Sequence, residues 1–315
     1  MDRSQNRCGE LARKLKSPRR VSALHQLWPL RVENTVRLVG RIGIVAHPRR
    51  EEAFVARENL LAWCRAQGHE AKILGAPTDS LGLDIVVSLG GDGTMLRALE
   101  LCLAYQIPVL GVNFGHLGYL TEVEPEELIE SLERFFAGDF EIEERMTLDV
   151  RVRKLNSDSS DMRFVAVNEL VVEKSHSGNV VKLGVTIANE PFLDYEADGL
   201  IVSTPTGSTA YSFSARGPVV SPMLRAMIVT PISPHMLFDR AMVLEPNESV
   251  EITVLNGPDA TLMVDGANRE ILTFGESVVC KTSLLSARLV KLEARDFRSV
   301  LKAKFGLANK DMGEF

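Results

Sequence analysis

A largely apolar run, Asp84 to Leu89, passes directly into Gly90-Gly91-Asp92-Gly93-Thr94 and from there into a helical pattern over 94–105. Few chain geometries accommodate that order. A short strand without polar alternation is buried on both faces, which happens in a parallel sheet covered by helices, and a helix leaving it must cross back over the sheet. The neighbouring segments agree. Ile42-Gly43-Ile44-Val45-Ala46 stops at Pro48, and Phe54, Leu60, Leu61 and Cys64 then recur at helical spacing until Gly68. Strands over Ala71 to Leu74 and 107–112 follow, and a helix over 125–137 starts at Pro125 with Leu128, Leu132, Phe135 and Phe136 on one face. This alternation predicts an α/β N-terminal domain with a doubly wound, mostly parallel sheet.

Near Met146 the texture changes to short runs of Val, Ile, Leu and Thr punctuated by Gly, Pro, Asn and Asp. Strands are expected at Leu148 to Val152, Arg163 to Val172, Lys182 to Ala188, Leu200 to Thr204, Ala226 to Thr230, Ser249 to Leu255, Ala260 to Val264 and Ser277 to Lys281, with Asn156 to Asp161 as a polar hairpin tip. They predict an all-β, antiparallel second domain. The 315 residues exceed what one core usually organises, in keeping with two domains.

The chain carries 36 Lys and Arg against 42 Asp and Glu, a net charge of −6. Residues 1–40 alone are at +6, so the remainder stands at −12, which argues against nucleic acid as a partner. The segment 1–37 reads as a basic, disordered extension, with a short amphipathic helix conceivable at Val21 to Leu27. Cys8, Cys64, Cys102 and Cys280 lie far apart without a C-x-x-C pair, unlike a zinc ribbon or a disulfide framework. The most apolar stretch, Leu101 to Val112, is shorter than the roughly 20 residues of a membrane span, and the first twenty residues lack the apolar run of a signal peptide. A cytoplasmic location with no membrane partner is expected.

Chemistry concentrates at three places. The glycine-rich loop follows a buried strand, where ligands settle in open α/β sheets; its glycines allow positive φ and let amides face a phosphate. It has no Walker A lysine, and Leu96 stands where a dinucleotide fingerprint needs a small residue. Asp92 would repel a phosphate unless it held a metal or accepted a hydroxyl proton; Arg97 is the nearby cation or a surface residue. A second junction, Asn113-Phe114-Gly115-His116-Leu117-Gly118-Tyr119, repeats the arrangement. Phe114 or Tyr119 could stack on a base or pack in the core, and His116 reads as a structural hydrogen-bonder. Next, the polar pair Asn168-Glu169 interrupts an apolar strand, either to hold a ribose or base or as an ordinary turn. Finally, Asp198 to Ser214 carries seven hydroxyl-bearing residues between Ser203 and Ser212, suited to a nucleotide held by neutral groups.

These three motifs, in this order and spacing, resemble those of the NAD kinases, the bacterial ATP-NAD and polyphosphate-NAD kinase family, and the resemblance covers about residues 40–300. It implies a domain over 38–145, a β-sandwich binding NAD over 146–283, and a segment over 284–315 packing back on the first domain. It also implies phosphorylation of the NAD 2′-hydroxyl by ATP or polyphosphate. Mg²⁺ or another divalent cation would be carried by the donor phosphates rather than by a direct protein ligand, and the subunits would form homodimers or homotetramers. Asp92 would be catalytic, with Gly93 touching ligand and Arg97 near the phosphates. Asn168, Glu169, Asp198, Thr209, Ala210, Tyr211, Ser212, Phe213 and Ser214 would hold NAD. In place of the family's frequent Ser-Ala-Gly-Gly-Pro the chain has Ser214-Ala215-Arg216-Gly217-Pro218. The alternatives are a lipid kinase of the diacylglycerol or sphingosine type, which shares the glycine loop, and a nucleotide sensor without turnover.

Overall fold

Strand β1 (Arg41–Ala46) feeds helix α1 (Glu51–Gln67), which has Glu51 and Glu52 in its first turn, where the helix dipole favours acids, and ends at Gly68 with φ of 79°. β2 (Glu70–Ile73), β3 (Ile85–Gly90), α2 (Asp92–Cys102), β4 (Val109–Asn113), α3 (Leu128–Ala137) and β5 (Glu141–Arg145) follow. Every residue of β3 and β4 is buried. In the computed structural model these strands and β18 (Ala287–Lys291) form one sheet in the order β2-β1-β3-β4-β18-β5, parallel through β4. β18 adds parallel to β4, and β5 runs antiparallel to it. Ile42, Ile44, Val87 and Leu89 pack with α1 and α3 on one face, whereas Val45 and Val86 pack with Met95 and Leu99 of α2 on the other. The sheet is therefore doubly wound. The residues described are 39–115, 118–155, 162–293 and 296–306; the lead-in over 1–37, His116 and the expected hairpin tip lie outside them.

The second half consists of β6 (Leu148–Arg153), β7 (Arg163–Ala166), β8 (Glu169–Lys174), β9 (Val181–Ile187), β10 (Glu190–Ala197), β11 (Gly199–Ser203), the one-turn helix α4 (Tyr211–Ser214), β12 (Met227–Ile232), β13 (Met242–Leu244), β14 (Ser249–Asn256), β15 (Ala260–Val264), β16 (Ala267–Leu272) and β17 (Ser277–Thr282). Two antiparallel sheets result, β10-β9-β14-β17-β6-β7 and β13-β12-β11-β8-β15-β16. Leu148, Val150, Val250, Ile252 and Val278 of the first interleave with Leu170, Val172, Leu200, Val202 and Leu262 of the second in one apolar core. Helix α5 (Phe297–Lys304) closes the described chain.

The run Arg163 to Val172 is not the single strand its hydrophobicity predicts. It divides at Val167-Asn168 into β7 and β8, which belong to opposite sheets. The polar pair stands where the chain changes sheets, Asn168 between the two strands and Glu169 as the first residue of β8.

Arg216 adopts φ of 67°, the left-handed region in which a Cβ is strained, two residues after α4. A glycine, which has no Cβ, removes that strain. We expect Arg216→Gly to stabilise the fold by about 1 kcal/mol, read as a higher Tm; an unchanged or lower Tm would contradict the strain assignment.

Candidate active site

The sheet's carboxyl edge builds the first half of the site. β3 ends at Gly90 and Asp92 opens α2, so its carboxylate sits at the positive end of an 11-residue helix. Both carboxylate oxygens are held: the Tyr119 amide donates to Oδ2 at 2.9 Å and the Leu120 amide to Oδ1 at 3.0 Å. Gly118 lies against this carboxylate so closely that a Cβ there would overlap Asp92 Oδ1 and Thr121 Oγ1. The amide-lined turn therefore fixes the acid, and its side chain is still 32% exposed.

Gly90, Gly91 and Gly93 do not use the positive φ that glycine allows. Gly91 is extended and leads straight into the helix, and Cβ atoms at Gly91 and Gly93 would meet nothing within 4 Å. Their contribution is open backbone along a pocket of about 390 Å³ lined by His47, Arg50, Gly91, Gly93, Thr94 and Arg97. Arg97, one turn into α2, lines this pocket. His47 and Arg50 were not singled out in the sequence, although they follow the end of β1 at the same carboxyl edge, and that position was the available signal. Of the two aromatic candidates, Phe114 is buried in the core, whereas Tyr119 stays partly exposed beside Asp92.

The β-sandwich supplies the second half. Asp265 accepts from three successive amides, Val167 at 2.8 Å, Asn168 at 2.8 Å and Glu169 at 3.1 Å, and so pins the crossing between sheets. Sequence reasoning missed this residue, which lies about a hundred positions downstream in the turn between β15 and β16. The hydroxyl-rich loop packs on the same crossing. The Thr204 amide donates to the Asn168 carbonyl at 2.8 Å, its hydroxyl donates to the Val167 carbonyl at 2.7 Å, and a Cβ on Gly207 would overlap Asn168 backbone. Several hydroxyls brace the loop itself: Ser208 donates to the Pro205 carbonyl at 2.7 Å, Ser212 pairs with Thr230 at 3.0 Å, and Thr206 accepts from Arg145 at 3.2 Å. Thr209, Ala210 and Tyr211 remain partly accessible, and Phe213 and Ser214 are exposed. Asp198 pairs with Lys174 at 2.5 Å.

Burial, the nearby Asp265 charge and an opposing bond from the Tyr211 amide leave the Glu169 carboxyl pushed up to about 8. One of its oxygens is buried without a partner.

The halves meet along α2. Val167 packs with Met95, Leu99 and Leu120, and Arg269 of β16 pairs with Glu100 at 2.6 Å. Adjacent residues at the end of α5 reach both: Lys304 stands beside Asp92, and the Phe305 ring lies 5.1 Å from that of Phe213. No group of three metal-binding side chains occurs among the described residues, and no described helix is long and apolar enough to cross a membrane.

Residues 74–140 match the ATP-NAD kinase N-terminal domain and residues 167–292 the ATP-NAD kinase C-terminal domain. An NAD kinase of Heliobacterium modesticaldum is 37% identical over 277 residues, spanning 84% of this chain and 97% of that protein. The chain belongs to the NAD kinase family. It is an enzyme, a kinase of this family, and its fold is that of solved family members. Yeast NADH kinase complexed with NADH superimposes with a TM-score of 0.77 at 24% identity, covering 88% of this chain and 90% of the other. An NAD kinase from Archaeoglobus fulgidus in complex with ATP gives 0.62 at 27% identity, covering 83% and 96%. The matched ranges take in Asp92 with its amide turn and the crossing with Asp265.

The Glu169 shift has a sign that can be measured in this NAD kinase. The unfolded chain releases this proton near 4.5, the folded chain only near 8, so the group favours folding at acid pH and that contribution is lost as pH rises through the interval. We expect Glu169→Gln to remove the slope, gaining on the parent by on the order of a few kcal/mol between about pH 5 and pH 8.5. Parallel stability curves for the two proteins would contradict it.

Proposed function

We propose that the enzyme transfers the terminal phosphoryl group of ATP to the 2′-hydroxyl of the adenosine ribose of NAD, giving NADP. The observation that carries this reading is a carboxylate locked by two amides yet open to the cleft, beside a loop that leaves exposed groups from the partner sandwich. Asn168 and Glu169 take the sugar and base. The protonated Glu169 carboxyl both donates to and accepts from a hydroxyl. Asp198 and the run Thr209, Ala210, Tyr211, Ser212, Phe213 and Ser214 hold the rest of NAD. Gly93, Arg97, His47, Arg50 and the amides opening α2 receive the donor phosphates, and polyphosphate would present the same chemistry to that pocket.

Asp92 orients the acceptor oxygen toward the terminal phosphorus. As the new P–O bond forms, the bond to the bridging oxygen breaks and its electron pair leaves with ADP. The hydroxyl proton passes to Asp92. A carboxylate is a weak base for a sugar hydroxyl, so the proton moves late and positioning supplies most of the rate. A divalent cation such as Mg²⁺, carried by the donor phosphates, would supply neutralisation of their charge. The absence of a cluster of metal-binding side chains among the described residues is compatible with an ion that keeps most of its ligands from water and substrate phosphates. The buried thiols of Cys64, Cys102 and Cys280 suit the reducing cytoplasm, and the family resemblance favours assembly as a homodimer or homotetramer.

Incubated with NAD, ATP and Mg²⁺, the purified enzyme should form NADP. Asp92→Asn should lower kcat by about 10²–10⁴-fold, roughly 3–5 kcal/mol, while NAD binding by calorimetry stays within about threefold. Turnover near that of the parent would refute the role given to Asp92, and NAD binding without any NADP would make the parent a sensor.

A further inference from the structure

Helix α5 is placed by three contacts that converge on the catalytic cleft. Its first residue, Phe297, lies 6.4 Å from the ring of Tyr119, the residue whose amide holds Asp92. The residue following its last turn, Phe305, packs on Phe213 of the hydroxyl-rich loop. Between these anchors the Lys304 ammonium sits 4.1 Å over the Tyr119 ring and 3.9 Å from Asp92 Oδ2. Among the described residues it is the one cation within ion-pair distance of Asp92. The last helical turn carries a second lysine, Lys302, which is exposed.

We propose that Lys304 is a positioning residue for the phosphoryl transfer, supplying positive charge on the acceptor side of the cleft. The proposal rests on Asp92 being the acceptor's partner. His47, Arg50 and Arg97 line the donor pocket, but an anionic donor approaching the acceptor also meets the negative Asp92, in a chain whose charge beyond residue 40 is −12. At 3.9 Å the ammonium makes an ion pair with Asp92 without a hydrogen bond, and its side chain is 26% exposed, so its N–H groups are free to turn toward incoming phosphoryl oxygens. The aromatic face beneath it favours a cation and fixes where it stands. The acceptor proton goes to Asp92. Charge set in place before the reaction favours the transition state without a cost of reorganisation during it.

Steady-state kinetics on Lys304→Met, Lys304→Arg, Lys302→Met and Asp92→Asn tests this, with melting curves for each. Lys304→Met should lower kcat about 10- to 100-fold with the KM for NAD within about threefold, because the charge acts on the transfer rather than on NAD binding. Lys304→Arg should recover kcat to within about fivefold of the parent, and Lys302→Met should match the parent. If Lys304→Met melts early, Lys304→Gln serves for the same comparison. The proposal is overturned if kcat is unchanged in Lys304→Met, if the loss falls on KM alone, if Lys304→Arg fails to restore it, or if Lys302→Met shows the same loss. An Asp92→Asn enzyme that turns over normally would instead overturn the reading on which the proposal rests.

Discussion

The carboxylate of Asp265, shared among the amides of Val167, Asn168 and Glu169, holds the chain where it passes from one sheet of the sandwich to the other. Three partly buried donors meet one acceptor group there, and without it they would lose their protein partner. Much of the site is hung on that crossing. Val167 points into the core against α2, which puts Asn168 and Glu169 next to the α/β layer. Thr204 and Gly207 are pressed onto its carbonyls, so the hydroxyl-rich loop takes its position from the same three residues.

The two halves divide the electrostatic labour. On the sandwich side, charge is suppressed: Glu169 is held toward its neutral form, Asp198 is paired with Lys174, and the loop's hydroxyls bond within the protein. On the sheet side charge is exposed, with Arg50 and Arg97 along one flank of the glycine loop and Lys304 beside Asp92. A neutral grip suits a dinucleotide that must be held without competing for its phosphates. Exposed charge suits the step in which phosphoryl oxygens change partners.

The sequence made the parallel layer legible because a buried strand running into a glycine turn and a helix has one common solution. Asp92 and Arg97 were visible for the same reason. Less legible were β5, β10 and β16, whose residues are mostly polar or half-exposed, so that backbone pairing rather than an apolar pattern decides their conformation. The division of 163–172 was hidden because Asn168-Glu169 looks like a flaw in one strand until Asp265 arrives from far along the chain. Lys304 had no local signal. A lysine near the end of a helix is usually there for solubility, and only the return of the C-terminal segment over Tyr119 makes it part of the cleft.

The central claim is that the amide-locked carboxylate faces the ribose 2′ position of the bound dinucleotide. A crystal structure of the enzyme with NADP measures this directly. The account requires the 2′-phosphate to lie within about 3 Å of Asp92, or one water away, with the ribose resting on the Asn168-Glu169 crossing. A 2′-phosphate turned into solvent, or a dinucleotide seated in a cavity that Asp92 does not border, would contradict it.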